Sequence, residues 1–419
     1  MKRFISIYLL ALTYCLLMPG KSLALQQQTE VVYAHLIEQV DVQLEQVRDE
    51  MIAFRRDLHQ HPEVSGQEKR TASAIANRLK ALNLEVRQQV GGYGVVAFLE
   101  GGQPGPTVAF RADMDAVFSN APDPVEYASK VPGVRHICGH DIHTAVGVAL
   151  AEGLASIQAE LQGSVLLLFQ PAEENVRGAR AMLEEGVFSR RKPEAIFAYH
   201  TAPFEVGQIG TKPGAMLAGR DNLIVELQGE EGLAEAGEAV KEVIESLNTL
   251  EPGQMSVTGD FFSPGNVRTR MQSDENSMRV FTTVTTTSDA LREKAKSAVN
   301  EKLRALESDG FSTTMKYIEI VAGVNNDMTL EVAARRPMHH VIGEENLVVI
   351  NTVPTPFSED FGFFQQQVPG VMYFLGVSNA EKGWVGQPHS PDYVADDEAI
   401  FVGAKAMAAV MLDFMASSL

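Results

Sequence analysis

The chain has 419 residues, 45% hydrophobic and 21% charged, a balance that excludes collagen-like, disordered and small disulfide-stapled proteins and implies roughly two or three domains. Its 54 acidic and 35 basic residues leave a net charge of -19, which excludes nucleic acid as the natural partner, because phosphate needs a basic face. Two cysteines cannot build a disulfide framework.

The first stretch reads as a targeting segment. Met1-Lys2-Arg3 is basic, residues 4–18 are almost wholly apolar, and Pro19-Gly20 breaks the run. Ser22-Leu23-Ala24 supplies small residues at a cleavage site, so residues 1–24 are expected to be a signal peptide and the protein to be exported, periplasmic or secreted. An uncleaved N-terminal anchor is the competing reading. Leu12-Thr13-Tyr14-Cys15 does not form a lipoprotein box. No second long apolar run is read further on, so the mature chain is expected to have no membrane span. Cleavage removes Cys15 and leaves Cys138 as a lone thiol, either buried and inert or chemically used.

Residues 29–58 carry Leu36, Val40, Leu44, Val47, Met51 and Phe54 at three- and four-residue steps, which predicts one long amphipathic helix. A second helix is expected over 71–82. Short apolar runs at 94–99, 107–111, 165–169, 195–199 and 371–375 lack polar alternation and predict strands buried on both faces, with helices at 143–157 and 179–185 between them. The texture changes between about 219 and 322. Strands are expected at 222–227, 254–262, 277–286 and 312–321, and helices at 231–250 and from an N-cap at Ser288 to about 307. That order, βαββαβ, is ferredoxin-like. The expected organisation is an α/β body formed by residues 29–218 and 323–419, with an α+β unit, 219–322, inserted in it.

Three polar clusters follow predicted strands: Asp113-Met114-Asp115, Glu173-Glu174 and His200. Ligands of open α/β sheets bind beyond the carboxyl ends of the strands. Of ten histidines, three sit in His136-Ile137-Cys138-Gly139-His140-Asp141-Ile142-His143, which places Cys138 and His140 in one loop ahead of a helix. Thiolate and imidazole together suit a divalent ion such as zinc, whereas a lone buried Cys is ordinarily structural. Glu173 and Glu174 sit in a turn after a buried strand, where neighbouring carboxylates point different ways. One can hold a metal while the other takes a proton from water. His339-His340 lies in an unpatterned stretch and reads as surface. No Walker phosphate loop, dinucleotide glycine turn or Gly-x-Ser-x-Gly elbow is present.

Taken in order, Arg55-Arg56-Asp57-Leu58-His59-Gln60-His61-Pro62-Glu63, Phe110-Arg111-Ala112-Asp113-Met114-Asp115-Ala116, Cys138-Gly139-His140-Asp141-Ile142-His143-Thr144, Gln170-Pro171-Ala172-Glu173-Glu174, His200, Val206-Gly207, Pro213-Gly214-Ala215-Met216-Leu217-Ala218, Ser358-Glu359-Asp360-Phe361 and His389-Ser390-Pro391 resemble the zinc-dependent amidohydrolases. That group includes hippurate hydrolase, indole-acetyl-amino-acid hydrolases and acyl-diaminopimelate deacylases, within the aminoacylase/carboxypeptidase-like metallopeptidases. The resemblance implies a mixed sheet flanked by helices, with the inserted unit as lid and dimerisation surface of a homodimer. It implies two divalent ions, zinc foremost with manganese or cobalt as alternatives, on Cys138, His140, Glu174, His200 and His389. Glu173 matches the general base, and Asp115 the acid that orients a metal-binding side chain. Asp113 stands where relatives outside the subgroup carry a ligand His, so it is not expected to be a ligand. The implied reaction is hydrolysis of an N-acyl amino acid.

The inserted unit departs from the pattern. The family's Gly-rich stretch with its oxyanion-stabilising His reads Gly229-Glu230-Glu231-Gly232-Leu233-Ala234-Glu235, and no His occurs between His200 and His339. Asn266-Val267-Arg268-Thr269 replaces Asn-Val-Ile-Pro, and the strand that ends in a carboxylate-clamping Arg reads Phe281-Thr282-Thr283-Val284-Thr285-Thr286. Val117-Phe118 replaces the usual Leu-Pro. Two readings follow: an amidohydrolase with an altered small-molecule amide substrate, or a catalytically weakened metal-binding homologue that binds a ligand or partner.

Overall fold

The computed structural model describes residues 19–251, 253–264 and 269–417, with residues 19–32 described by backbone alone. Most of the expected signal peptide, Cys15 included, lies outside the described residues, as do Asn266, Val267 and Arg268. The first described element is the helix Pro19–Gln46. The single helix expected over 29–58 is two helices, Pro19–Gln46 and Arg48–Gln60, separated where Val47 takes φ -96 and ψ 5. The apolar stripe from Leu36 to Phe54 is buried through both.

An eight-stranded mixed sheet forms the body. Its order is Glu85–Val90, Gly94–Glu100, Gln162–Gln170, Gln103–Asp113, Ala195–Glu205, Gly370–Ser378, Ile209–Thr211 and Leu347–Val349. Gln103–Asp113 runs parallel to both Gln162–Gln170 and Ala195–Glu205, so these three strands deliver their carboxyl ends to one edge. Separate apolar clusters cover the two faces, as the uninterrupted apolar runs require. One face is covered by helix His140–Ser156, buried from His140 to Leu154, which packs against helix Ala399–Ser417. Ala399–Ser417 is a second long apolar run, which the sequence reading passes over. It is long and apolar enough to cross a membrane, yet most of it is buried in this core.

A five-stranded antiparallel sheet occupies the inserted stretch, ordered Phe262–Pro264, Ser277–Thr286, Gly219–Gln228, Ser312–Val321, with Arg270–Asp274 also paired to Ser277–Thr286. Helices Leu233–Ser246 and Asp289–Ser308 cover one face around their own apolar cluster. Ser288 caps the second, accepting from the Leu291 N–H. The strand expected over 254–262 does not form. Ser256–Val257 pairs with Val353–Pro354, while Phe262–Pro264 joins the inserted sheet. Gly259, between them, leaves the chain free to change direction. His339-His340 is not unpatterned: it closes helix Met328–Ile342, which Asp327 caps through the Thr329 and Leu330 N–H groups.

Candidate active site

The loop–helix junction at 138–140 supplies the first donors. His140 is the first residue of helix His140–Ser156, so only Cys138 of the pair lies in the loop. Gly139 between them has φ +89, and a Cβ there would lie 2.2 Å from the Tyr393 hydroxyl. Only glycine fits both constraints. The Thr201 hydroxyl donates to the Cys138 carbonyl at 2.6 Å, which ties this turn to the strand carrying His200. His200 itself lies inside Ala195–Glu205, not beyond it. Its Nδ1 donates to the Thr201 carbonyl at 2.8 Å, so the Nε2 lone pair is left to face Cys138 Sγ at 3.5 Å.

The turn after Gln162–Gln170 supplies the carboxylates. Ala172 and Val176 both take φ +54, conformations costly for side chains with a Cβ. Buried Glu68 holds the turn by accepting the Ala172 N–H at 2.9 Å. Asp115 does more. One oxygen accepts from the Glu173 N–H at 3.2 Å and from His140 Nδ1 at 3.3 Å; the other accepts from the Glu174 N–H at 3.0 Å and the Ser65 hydroxyl at 2.6 Å. A single carboxylate therefore sets the ring of His140 and the backbone of both glutamates. With its Nδ1 proton so placed, His140 presents Nε2 to Glu173 and Glu174, each at 3.8 Å. His389, held at φ +61 by the bond from its N–H to the Ile137 carbonyl, brings Nε2 within 3.3 Å of Glu174 Oε1.

The residues brought together are thus Cys138, His140, Glu173, Glu174, His200 and His389, with Asp115 behind them. Whether this set suits a metal ion is answered by its unmet bonds. His140 Nε2 is buried and has no hydrogen-bond partner, and Glu174 Oε1 is met only by the His389 ring, at 3.3 Å. Donor atoms sharing one ion through bonds of about 2.0–2.3 Å sit roughly 3.3–3.8 Å apart at tetrahedral angles. The 3.3–3.8 Å separations fall in that band, and at 3.8 Å no hydrogen bond competes.

His143 and Asp113 take another role. His143 Nδ1 donates to Asp113 at 2.5 Å and its Nε2 accepts the Thr201 N–H at 2.8 Å, so neither ring nitrogen is free for an ion. Asp113 in turn is fixed by Arg111 at 2.6 Å. Arg111, wholly buried in a strand, also reaches Gln170, Glu359 at 2.7 Å and Asp360 at 3.1 Å. Sequence reasoning passes over Arg111 and the roles of Glu359 and Asp360; a charged residue inside an otherwise apolar strand is the signal that could have found the first. It also misses Asp141, whose Oδ2 meets Arg55 Nε at 2.8 Å and His59 Nδ1 at 2.7 Å and so pins the start of the His140 helix to helix Arg48–Gln60.

The electrostatics follow from burying so many carboxylates together. Burial pushes the Glu173 carboxyl well above its usual range, with Glu359, Asp360 and Glu174 adding to the push. Burial, Glu174 and Glu173 likewise raise the Cys138 thiol. Burial works against a charge on His140, yet Asp113 and Asp115 carry it up to about 10. Burial and the neighbouring His143 bring His200 down to about 3. The cluster draws positive charge toward His140 Nε2 and a proton toward Glu173. A divalent cation answers the same field and reverses it for the thiol.

Cys138, Glu173, Glu174, His200 and His389 line a cavity of about 740 Å³, walled by Phe204, Leu217, Ile350, Phe357 and Phe374, with Arg220 from the inserted sheet at its lining.

The profile of peptidase family M20/M25/M40 matches residues 109–413. N-acetylcysteine deacetylase of Bacillus subtilis (strain 168) is 32% identical over 384 residues, 85% of this chain and 94% of that protein. IAA-amino acid hydrolase ILR1-like 4 of Arabidopsis thaliana is 31% identical over 396 residues, 88% of each chain. Among solved structures, the Bacillus subtilis YXEP protein, a dinuclear metal binding peptidase from the M20 family, is similar with a TM-score of 0.74 and 27% identity, covering 90% of this chain and all of that one.

Proposed function

The chain belongs to peptidase family M20/M25/M40, and on that premise we propose that it hydrolyses the amide bond of N-acyl amino acids or related conjugates. As a metallo-amidohydrolase of this family it binds metal. The finer assignments rest on the site. Cys138, His140, Glu174, His200 and His389 would hold two divalent ions, with zinc favoured by the thiolate and imidazole donors. When bound, such ions polarise the scissile carbonyl and lower the pKa of water toward neutrality.

The chain's own groups do the rest. Glu173 accepts the proton of the attacking water and hands it to the departing amine nitrogen; its buried, carboxylate-crowded position favours proton uptake. Asp115 keeps His140 in the tautomer that leaves Nε2 free and holds the backbone of Glu173 and Glu174. The apolar walls exclude bulk water and accommodate an apolar acyl or side-chain group. The observation that carries this reading is the buried His140 Nε2, without a hydrogen-bond partner, 3.8 Å from both Glu173 and Glu174, two residues that line the cavity.

The test is turnover. Protein loaded with zinc, manganese or cobalt should release free amino acid from members of a panel of N-acyl amino acids. Turnover no greater than that of a Glu173→Ala control on every substrate would end the proposal. Two further parts are proposed with it. The Ser22-Leu23-Ala24 boundary supports export, for which the mature chain should begin at Leu25. Residues 219–322 serve as lid and dimer contact, for which sedimentation should give twice the chain mass; a cytoplasmic full-length chain and a monomer are the contrary results.

A further inference from the structure

Along Gly219–Gln228 burial alternates strictly. Asp221, Leu223, Val225 and Leu227 are buried on the side that holds the two helices of the inserted unit. Arg220, Asn222, Ile224 and Glu226 are half-buried on the other side. Arg220 lines the catalytic cavity and is the only Lys or Arg among the described residues that do. Among the described residues it has no counter-ion. The adjacent acid, Asp221, points the opposite way and is taken by Arg292 at 2.8 Å and Tyr317 at 2.9 Å. The residues paired with Arg220 on the two neighbouring strands, Thr285 and Val321, are uncharged. Among the described residues no hydrogen bond or ion pair to the Arg220 guanidinium is present, in a chain whose acids exceed its bases by 19.

A half-buried cation left unpaired among so many acids has lost hydration without gaining a partner. A cavity ligand that brings an anion restores the balance. The planar fork of a guanidinium matches a carboxylate through two parallel hydrogen bonds, which a point charge does not. The rest of the wall mixes apolar residues with uncharged polar ones such as Asn175, Thr352 and Gln387, and its acidic members, Glu173, Glu174 and Glu359, sit with the metal donors and Arg111. The cavity therefore offers one basic side chain, on the inserted sheet, apart from the acids at its floor.

We propose that Arg220 is the specificity-determining residue of this enzyme and binds the free carboxylate of the amino-acid half of the substrate. The proposal rests on the amidohydrolase reading above and deepens it. It gives the cavity a carboxylate partner although the strand Ser277–Thr286 lacks the Arg of the family pattern.

Binding separates this proposal from the reading it rests on, because binding needs no turnover. N-benzoyl-leucine and N-benzoyl-leucinamide are titrated into zinc-loaded Glu173→Gln protein by calorimetry, with Arg220 intact, as Arg220→Ala and as Arg220→Lys. With Arg220 intact the acid should bind about 10–100-fold more tightly than the amide, the range expected of charge-assisted hydrogen bonds. Arg220→Ala should remove that preference and leave amide binding unchanged, and Arg220→Lys should restore part of it. Circular dichroism of each variant establishes that it is folded. Equal affinity for acid and amide with Arg220 present, no detectable binding of either, or a preference that survives Arg220→Ala overturns the proposal. An acid preference that depends on Arg220, in a protein whose parent turns over no N-acyl amino acid, overturns the hydrolase reading and leaves this one standing.

Discussion

At the scale of single residues, the site is a division of labour between side chains that would touch an ion or substrate and side chains that hold them. Glu173 is the proposed proton carrier. Glu173→Gln should lower kcat by about 10²–10⁴, the usual share of a general base, while the metal content stays unchanged; retention of wild-type kcat contradicts the assignment. Asp115 contributes nothing directly to the reaction, yet it orients His140 and receives the N–H groups of both glutamates. Asp115→Ala should weaken zinc affinity roughly 10–100-fold in a chelator competition, as loss of an orienting carboxylate does elsewhere. Arg111 is the cation of a buried carboxylate group. Burial opposes its charge, but Glu359, Asp113 and Asp360 hold it charged. Arg111→Met would leave those acids without it and should cost about 3–5 kcal/mol in denaturant unfolding. A loss below about 1 kcal/mol would show that the cluster neutralises itself by protonation instead.

At the scale of elements, the turn after Gln162–Gln170, the strand Ala195–Glu205, one helix start and the loop at His389 set the donors. Gly139 is the tightest point: Gly139→Ala would drive a Cβ into Tyr393 and Thr201 and pull Cys138 and His140 apart. The variant should fold with reduced stability and bind zinc more weakly, both readable in one thermal-shift titration. The loop before Val134–Arg135 is tied by Asp123, which accepts from His59 at 3.1 Å, the Ser129 N–H at 2.9 Å and Arg135 at 3.1 Å. Burial opposes the Asp123 charge, but these partners bring it down to about 2. A depressed acid adds stability above its unfolded value of about 3.9 and loses it as pH falls toward 2. Asp123→Asn should therefore be less stable at pH 7 and show a shallower loss of stability between pH 4 and 2.

Much of this element plan is legible in sequence. Strands such as Ser277–Thr286 and Ser312–Val321 are bounded as their apolar pattern predicts, since alternation and β-branching report local geometry. The misses come from tertiary effects. Ser256–Val257 and Phe262–Pro264 go to different sheets, which no local pattern encodes. His140 enters the helix because Asp141 and the glycine before it fix the helix start. Arg111, Asp141 and Arg220 owe their meaning to partners, or to the lack of one, far away in the chain.

At the scale of the molecule, ligands drawn from the 138–140 junction, the 171–174 turn, strand Ala195–Glu205 and the loop at His389 would be joined by ions. Binding to the native state alone adds stability by mass action, about 2.7 kcal/mol at free metal one-hundredfold above Kd. Removal of metal by a chelator should lower Tm, and zinc should restore it. Cys138→Ser should narrow that difference. Identical Tm values with and without metal contradict a site built from these elements. The proposed pair of divalent ions in the cluster is tested by elemental analysis of the purified, zinc-equilibrated protein. Two ions per chain are expected, falling in Cys138→Ser and His200→Ala variants. A wild-type content no higher than that of a variant lacking Cys138, His140 and His200 together contradicts it.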